Sequence, residues 1–236
     1  MIISGLQKMT LLDYPGRVAC TVFLQGCNFR CPFCHNSGLL GAAQDDTIEV
    51  EELLDFLRKR VGILDGVCIT GGEPTLQPDL PELLRQIKAM GYNIKLDTNG
   101  SRPEMLKSLA ADGLIDYVAM DIKNCPHRYA ETIGLHQFPQ SEIEESMRFL
   151  MEGNLDYEFR TTVVQEFHDE DAILSLGRWL AELSPQCKAK QLFLQSYVDR
   201  DSVLTQGLHS PTPESLRSFK AILAPYADFV DIRGTD

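Results

Sequence analysis

Short apolar runs of strand length take turns with amphipathic helical segments along the whole chain, and few architectures accommodate such an alternation. Val18-Ala19-Cys20-Thr21-Val22-Phe23-Leu24 is continuously apolar, as a strand buried on both faces requires. A helix is expected over Val50–Val61, where Leu53, Leu54, Phe56, Leu57 and Val61 recur at helical spacing. Gly66–Thr70 reads as a strand, and Leu80–Met90 as a helix stopped by Gly91. Asn93–Asp97 is the next strand, and Pro103–Ala111 a helix with proline at its start. Tyr117–Asp121 follows as a strand, then a helix over Glu142–Met151 opened by the capping-box pair Ser141 and Glu144. Tyr157–Val164, Gln191–Tyr197 and Phe229–Ile232 complete the strands, separated by helices over Asp171–Leu183 and Pro213–Leu223. Asn124–Gln140 is the longest irregular stretch.

Six to seven βα units without a break in composition predict one α/β domain over residues 1–236, a parallel sheet with helices outside it. They fall short of the eight units of a closed barrel. An incomplete, open parallel β/α barrel is therefore expected, with a doubly wound open sheet as its competitor.

Seven cysteines and a net charge of −12 narrow the chemistry. No basic leader precedes an apolar run, and no apolar stretch approaches the length of a membrane span. The expectation is a cytoplasmic protein with reduced thiols and no membrane partner. Without clustered cations, a nucleic-acid backbone is not the expected partner either.

Three of the cysteines stand together in Gly26-Cys27-Asn28-Phe29-Arg30-Cys31-Pro32-Phe33-Cys34-His35-Asn36, directly after the first predicted strand. Their spacing lets one looped backbone turn three thiolates onto one centre. A fully ligated iron–sulfur cluster takes four thiolates, so three would leave one iron open to a small molecule. A zinc site is the alternative, but it wants four ligands, and His35 is poorly placed as the fourth because it adjoins Cys34. Cys20 and Cys68 fall inside predicted strands, where a thiol behaves as a small hydrophobe. His127, His136, His168 and His209 are expected at the surface.

This cysteine spacing, with the aromatic Phe33 before the last thiol, resembles the radical S-adenosylmethionine superfamily. The resemblance implies a [4Fe–4S] cluster on Cys27, Cys31 and Cys34 whose open iron chelates the methionine end of S-adenosylmethionine. One electron would then release a 5′-deoxyadenosyl radical.

Ligand-capable residues end four successive predicted strands on one edge of the sheet, where α/β enzymes place their active sites. Thr70-Gly71-Gly72-Glu73-Pro74 follows one strand, and the resemblance assigns Gly71, Gly72 and Glu73 to the methionine ammonium. Asp97-Thr98-Asn99-Gly100 and Met120-Asp121-Ile122-Lys123 follow the next two; taken alone, they read as a turn and a surface salt pair. Both segments are similar to those of glycyl-radical-enzyme activases. That similarity places Asp97, with Thr98 and Asn99, near the cofactor ammonium and a monovalent cation, and Asp121 and the catalytic candidate Lys123 beside cofactor or substrate peptide. It extends cofactor contact to Phe33 and His35. Leu12-Asp13-Tyr14-Pro15-Gly16 and Cys-Pro-Phe-Cys-His-Asn resemble activating proteins of anaerobic ribonucleotide reductase. A glycyl radical enzyme of that kind is the implied partner, with flavodoxin or ferredoxin as electron donor. Pyruvate formate-lyase activases carry a cofactor-contacting histidine where this chain has Leu194-Gln195-Ser196, so Gln195 is the candidate replacement. Two other functions compete: a radical enzyme acting on a small molecule such as a nucleotide or deazapurine precursor, and a non-enzymatic zinc-binding protein.

Overall fold

The computed structural model describes residues 1–41 and 47–234. Its elements run β1 (Ile3–Thr10), β2 (Ala19–Leu24), α1 (Val50–Arg58), β3 (Gly66–Gly71), α2 (Leu80–Ala89), β4 (Asn93–Thr98), α3 (Pro103–Ala111) and β5 (Tyr117–Asp121). Then come α4 (Pro126–Thr132), α5 (Gln140–Glu152), β6 (Asp156–Val163), α6 (Glu170–Leu183), β7 (Ala189–Ser196), α7 (Pro213–Leu223) and β8 (Ala227–Arg233). The eight strands form one sheet in chain order, β1 to β8. β1 runs antiparallel to β2, while β2/β3, β3/β4, β6/β7 and β7/β8 are parallel. The sheet is open rather than closed, in line with the incomplete barrel expected from the βα count.

Three expectations are corrected. β1 was not foreseen, because only Ile3 and Thr10 of its eight residues are buried and no apolar alternation marks it. The stretch 124–140 is not wholly irregular. It holds α4, whose seven residues begin at Pro126 and are too few to display a helical period. The capping box fails: α5 starts at Gln140 after Pro139, with no side-chain cap. Ser141 bonds the Glu142 carboxylate instead, and Glu144 accepts from Gln140 and from the Trp179 indole.

The chain divides into two compact units, Met1–Asn28 with Gly38–Thr98 and Arg102–Ala119, and Phe29–Ser37 with Asn99–Ser101 and Met120–Asp236. In the first, β3 and β4 bury Val67, Cys68, Ile69, Ile94 and Leu96. α1 buries Leu53, Leu54 and Leu57, and α2 buries Leu80, Leu83, Leu84 and Ile87, each along a single helical face. In the second, β6 and β7 bury Tyr157, Phe159, Leu192 and Leu194. α6 and α7 start at true side-chain caps, Asp169 accepting from the Ala172 amide at 2.8 Å and Thr212 from the Ser215 amide at 3.1 Å. No helix among the described residues is long and apolar enough to cross a membrane.

Candidate active site

In the first unit the carboxyl ends of β2 and β3 are pressed together by their glycines. Gly71 has φ +120°, and a Cβ there would stand 2.4 Å from the Leu24 backbone. A Cβ on Gly72 would be 2.0 Å from the Gly26 carbonyl oxygen. Only glycine permits this approach. It is sealed by the Gly72 amide donating to Leu24 O (2.9 Å) and the Glu73 amide donating to Gly26 O (2.7 Å). Gln77 adds a bond from its side-chain nitrogen to Gln25 O at 2.7 Å. The backbone leading into Cys27 is thus held by the loop that follows β3.

Glu73 is 1% exposed. Its Oε1 accepts from the Thr75 amide (3.1 Å), the Thr75 hydroxyl and the Thr98 hydroxyl (2.8 Å). It therefore caps the short turn Pro74–Leu76 and ties that turn to the end of β4. One step down β4, the half-buried Asp97 carboxylate pairs with the buried Lys95 ammonium. The Asp13 of the Leu-Asp-Tyr-Pro-Gly motif accepts from the Thr21 hydroxyl, and Tyr14 is buried against Tyr117 with ring centroids 6.0 Å apart. This motif adjoins the start of β2, at the opposite end of that strand from Cys27.

In the second unit, the segment Phe29–Ser37 is clamped along its length. The Arg30 amide donates to Ile133 O (2.9 Å), the Thr205 amide to Pro32 O (2.9 Å), and the Cys34 amide to Cys31 O (3.1 Å), so Cys31 and Cys34 share one turn. Phe33 packs between Phe167 (5.8 Å) and Tyr197 (6.5 Å). His35 stacks on Tyr197 at 5.6 Å and 14°, and its Nε2 donates to Val198 O at 2.7 Å. Burial first, then the neighbouring Asp199, pushes the Tyr197 phenol up to about 12. Asn99 folds back to accept from the Ser101 amide at 3.0 Å, forming a turn of its own. Gln195 is half-buried on β7, in register with Thr162 and Arg233.

The end of β5 carries a compact charge network. Asp121 accepts from Lys123 Nζ and from Arg160 Nε, both at 2.9 Å. Burial raises the Asp121 pKa, but Arg160 and Lys123 outweigh it and hold the carboxyl at about 2. Burial likewise disfavours the Lys123 ammonium, yet Asp121 and the Cys31 thiolate together raise its pKa.

His168 is buried at 4% exposure rather than at the surface, which corrects the sequence expectation; His127, His136 and His209 are exposed. Its Nε2 donates to the Lys123 carbonyl at 2.9 Å, and its Nδ1 lies 3.1 Å from the Val164 amide. Desolvation lowers its pKa, consistent with a neutral ring that donates at Nε2 and accepts at Nδ1. Arg160, His168 and Lys95 were all missed from sequence. The period-two pattern set Lys95 beside Asp97, and nothing marked the other two.

A mostly parallel open α/β sheet with ligand-capable loops at its strand ends is the architecture of an α/β enzyme. Residues 21–176 match the profile of the Radical SAM superfamily. The chain belongs to the radical SAM superfamily of enzymes. It is 31% identical to a Methanocaldococcus jannaschii protein, MJ1227, named as a candidate glycyl-radical enzyme activating enzyme; the match covers 98% of this chain and 95% of that one. It is 35% identical to the pyruvate formate-lyase-activating enzyme of Clostridium pasteurianum over 52% of each chain, so it spans about half the length of that relative. A domain of the pyruvate formate-lyase-activating enzyme of Bacteroides vulgatus shares the fold with TM-score 0.58 and 23% identity, covering 72% of this chain and 99% of that one.

Membership implies a [4Fe–4S] cluster and S-adenosylmethionine, and the residues present suit both. Cys27, Cys31 and Cys34 are free thiols, buried or half-buried. The Lys123 ammonium lies within electrostatic range of Cys31. At Gly71 and Gly72 the space a side chain would need is taken by the backbone of Leu24 and Gly26, so the loop after β3 lies directly against the approach to Cys27. Among the described residues no three His, Cys, Asp or Glu side chains are gathered as for a single metal ion. A cluster is a larger object, with its thiolates on separate irons.

Proposed function

We propose that this chain is a glycyl-radical-enzyme activase, an oxidoreductase that takes a hydrogen atom from a backbone glycine of a partner enzyme. Cys27, Cys31 and Cys34 would hold the cluster, which when bound supplies the electron for reductive cleavage of S-adenosylmethionine. What carries the reading is the end-to-end match to MJ1227, which extends well outside the cysteine loop.

The chain's own residues bind, orient and shield. Gly71, Gly72 and Glu73, whose carboxylate is held by Thr75 and Thr98, would meet the ammonium at the methionine end of the cofactor. Asp97, Thr98 and Asn99 line the end of the next strand. Phe33 and His35, immobilised on Tyr197, fix the cysteine loop beside the cofactor. Asp121 stays ionised at any working pH, and Lys123 stays protonated. Together they form a permanent ion pair that orients cofactor and substrate peptide and cannot act as a general base. Gln195 supplies a polar contact at the end of β7. The Leu-Asp-Tyr-Pro-Gly and Cys-Pro-Phe-Cys-His-Asn motifs favour anaerobic ribonucleotide reductase as the partner, with flavodoxin or ferredoxin as donor and the cytoplasm as the setting.

The test is anaerobic: reconstituted protein, a reductant, S-adenosylmethionine and the reductase are mixed and examined by electron paramagnetic resonance. A glycyl doublet is expected. Cofactor cleavage stimulated by a nucleotide, with no doublet on any glycyl radical enzyme, would overturn the reading in favour of a small-molecule substrate.

A further inference from the structure

Lys95 is an unusual occupant of a central strand, since a lysine 2% exposed to solvent ranks here among the largest fully buried side chains. The registers Thr21↔Cys68 and Cys68↔Lys95 set these three residues in one row across β2, β3 and β4. Asp97, two residues further along β4, projects to the same face. The Lys95 ammonium pairs with Asp97 Oδ1, and the Cys68 sulfur stands 3.7 Å from both partners. Of the row, Thr21 is turned to Asp13, and Asp97 carries the ion pair to the buried Lys95 ammonium.

Resemblance to the activases places a monovalent cation beside Asp97, and the geometry does not fit one. We infer that Lys95 supplies, from within the chain, the positive charge that a bound sodium or potassium ion would otherwise bring to Asp97. A metal ion approaching that carboxylate meets an ammonium already on it. To make room, the ammonium would have to give up its counter-ion, and its burial offers no water to replace it. Keeping both cations on Asp97 would set two positive charges against each other in a desolvated place. Either course is unfavourable.

The inference rests on the activase reading for its significance, and the experiment separates the two. Reconstituted protein is exchanged into tetramethylammonium, sodium or potassium chloride at equal ionic strength. S-adenosylmethionine cleavage under reductant is then measured, and thermal unfolding of the unloaded protein is followed in the same three salts. Wild type is expected to cleave equally well and melt at the same temperature in all three. Lys95→Met, similar in length but uncharged, should lose about tenfold in cleavage in tetramethylammonium, equivalent to ~1.4 kcal/mol. It should recover in sodium or potassium and be stabilised selectively by one of them. A wild-type enzyme that needs sodium or potassium, or that either ion selectively stabilises, overturns the inference; this decides the matter even should Lys95→Met not fold. If wild type cleaves nothing in any salt, the radical reading fails, while the melting series still judges Lys95.

Discussion

A Cβ on Gly72 would stand 2.0 Å from the carbonyl oxygen of Gly26, the residue that introduces Cys27. The contact is backbone against backbone, so no rotamer can relieve it. Gly72→Ala must part the two loops and break the bond from the Glu73 amide to Gly26 O. Overpacking of this kind costs about 1–3 kcal/mol. We expect that loss in urea unfolding, together with a marked fall in iron and sulfide after reconstitution. Normal loading of the variant would refute the link between this contact and the cysteine loop.

The remaining cysteines provide internal controls. Burial pushes the Cys20 thiol up to about 12, which disfavours the thiolate a metal requires. Cys27→Ala, Cys31→Ala and Cys34→Ala should each abolish the visible absorption of the cluster, whereas Cys20→Ala and Cys187→Ala should keep it. Retention of the spectrum by any of the first three would remove that residue from the ligand set.

Asp121 makes an acid-side prediction. Its folded pKa, about 2, lies below the ordinary carboxylate value near ~3.9. The stabilisation is therefore complete above that ordinary value and is lost as the pH falls toward 2. Arg160→Met removes one of the two cations that oppose desolvation and should raise the Asp121 pKa. Acid unfolding followed by circular dichroism should then begin at higher pH than in wild type. An unchanged acid limb would mean that Lys123 suffices alone.

His168 acts near neutrality. Its folded pKa is depressed, so its contribution is complete above the unfolded value near ~6.5 and declines as the pH drops toward the folded one. Urea unfolding between pH 7 and 5 should show this decline. His168→Gln, which can still donate to the Lys123 carbonyl, should flatten it while preserving most of the stability at pH 7. A wild-type profile without slope over that interval would contradict a neutral buried ring.

Where a residue type carries its own geometric instruction, the sequence was readable to the residue. Helices at Pro103–Ala111 and Pro213–Leu223 open on proline, which fits only the first turn, and both run over the residues expected. Tyr117–Asp121 was likewise found as read. The misses share a different cause. β1 is an edge strand with little buried surface and so shows no apolar alternation, and the seven residues of α4 are too few to display a helical period. Lys95 and Asp97 alternate onto one face of β4, and a charged face usually means solvent. Only the neighbouring strands reveal that this one is covered. His168 is buried by bonds to main-chain atoms of residues 123 and 164, and main-chain partners leave no trace in side-chain patterns.

The clamp on residues 29–37 has a bearing on biogenesis. His35 reaches the Val198 carbonyl, Ser37 the Ser202 carbonyl, and Ser202 the His35 carbonyl, across separations of 163, 165 and 167 residues. When the ribosome has just completed the third thiol, none of those anchors has been translated. Such distant closures are slow steps of folding. The thiol loop can acquire its final shape only after most of the polypeptide has emerged, so metal delivery in the cell belongs after synthesis, not during it.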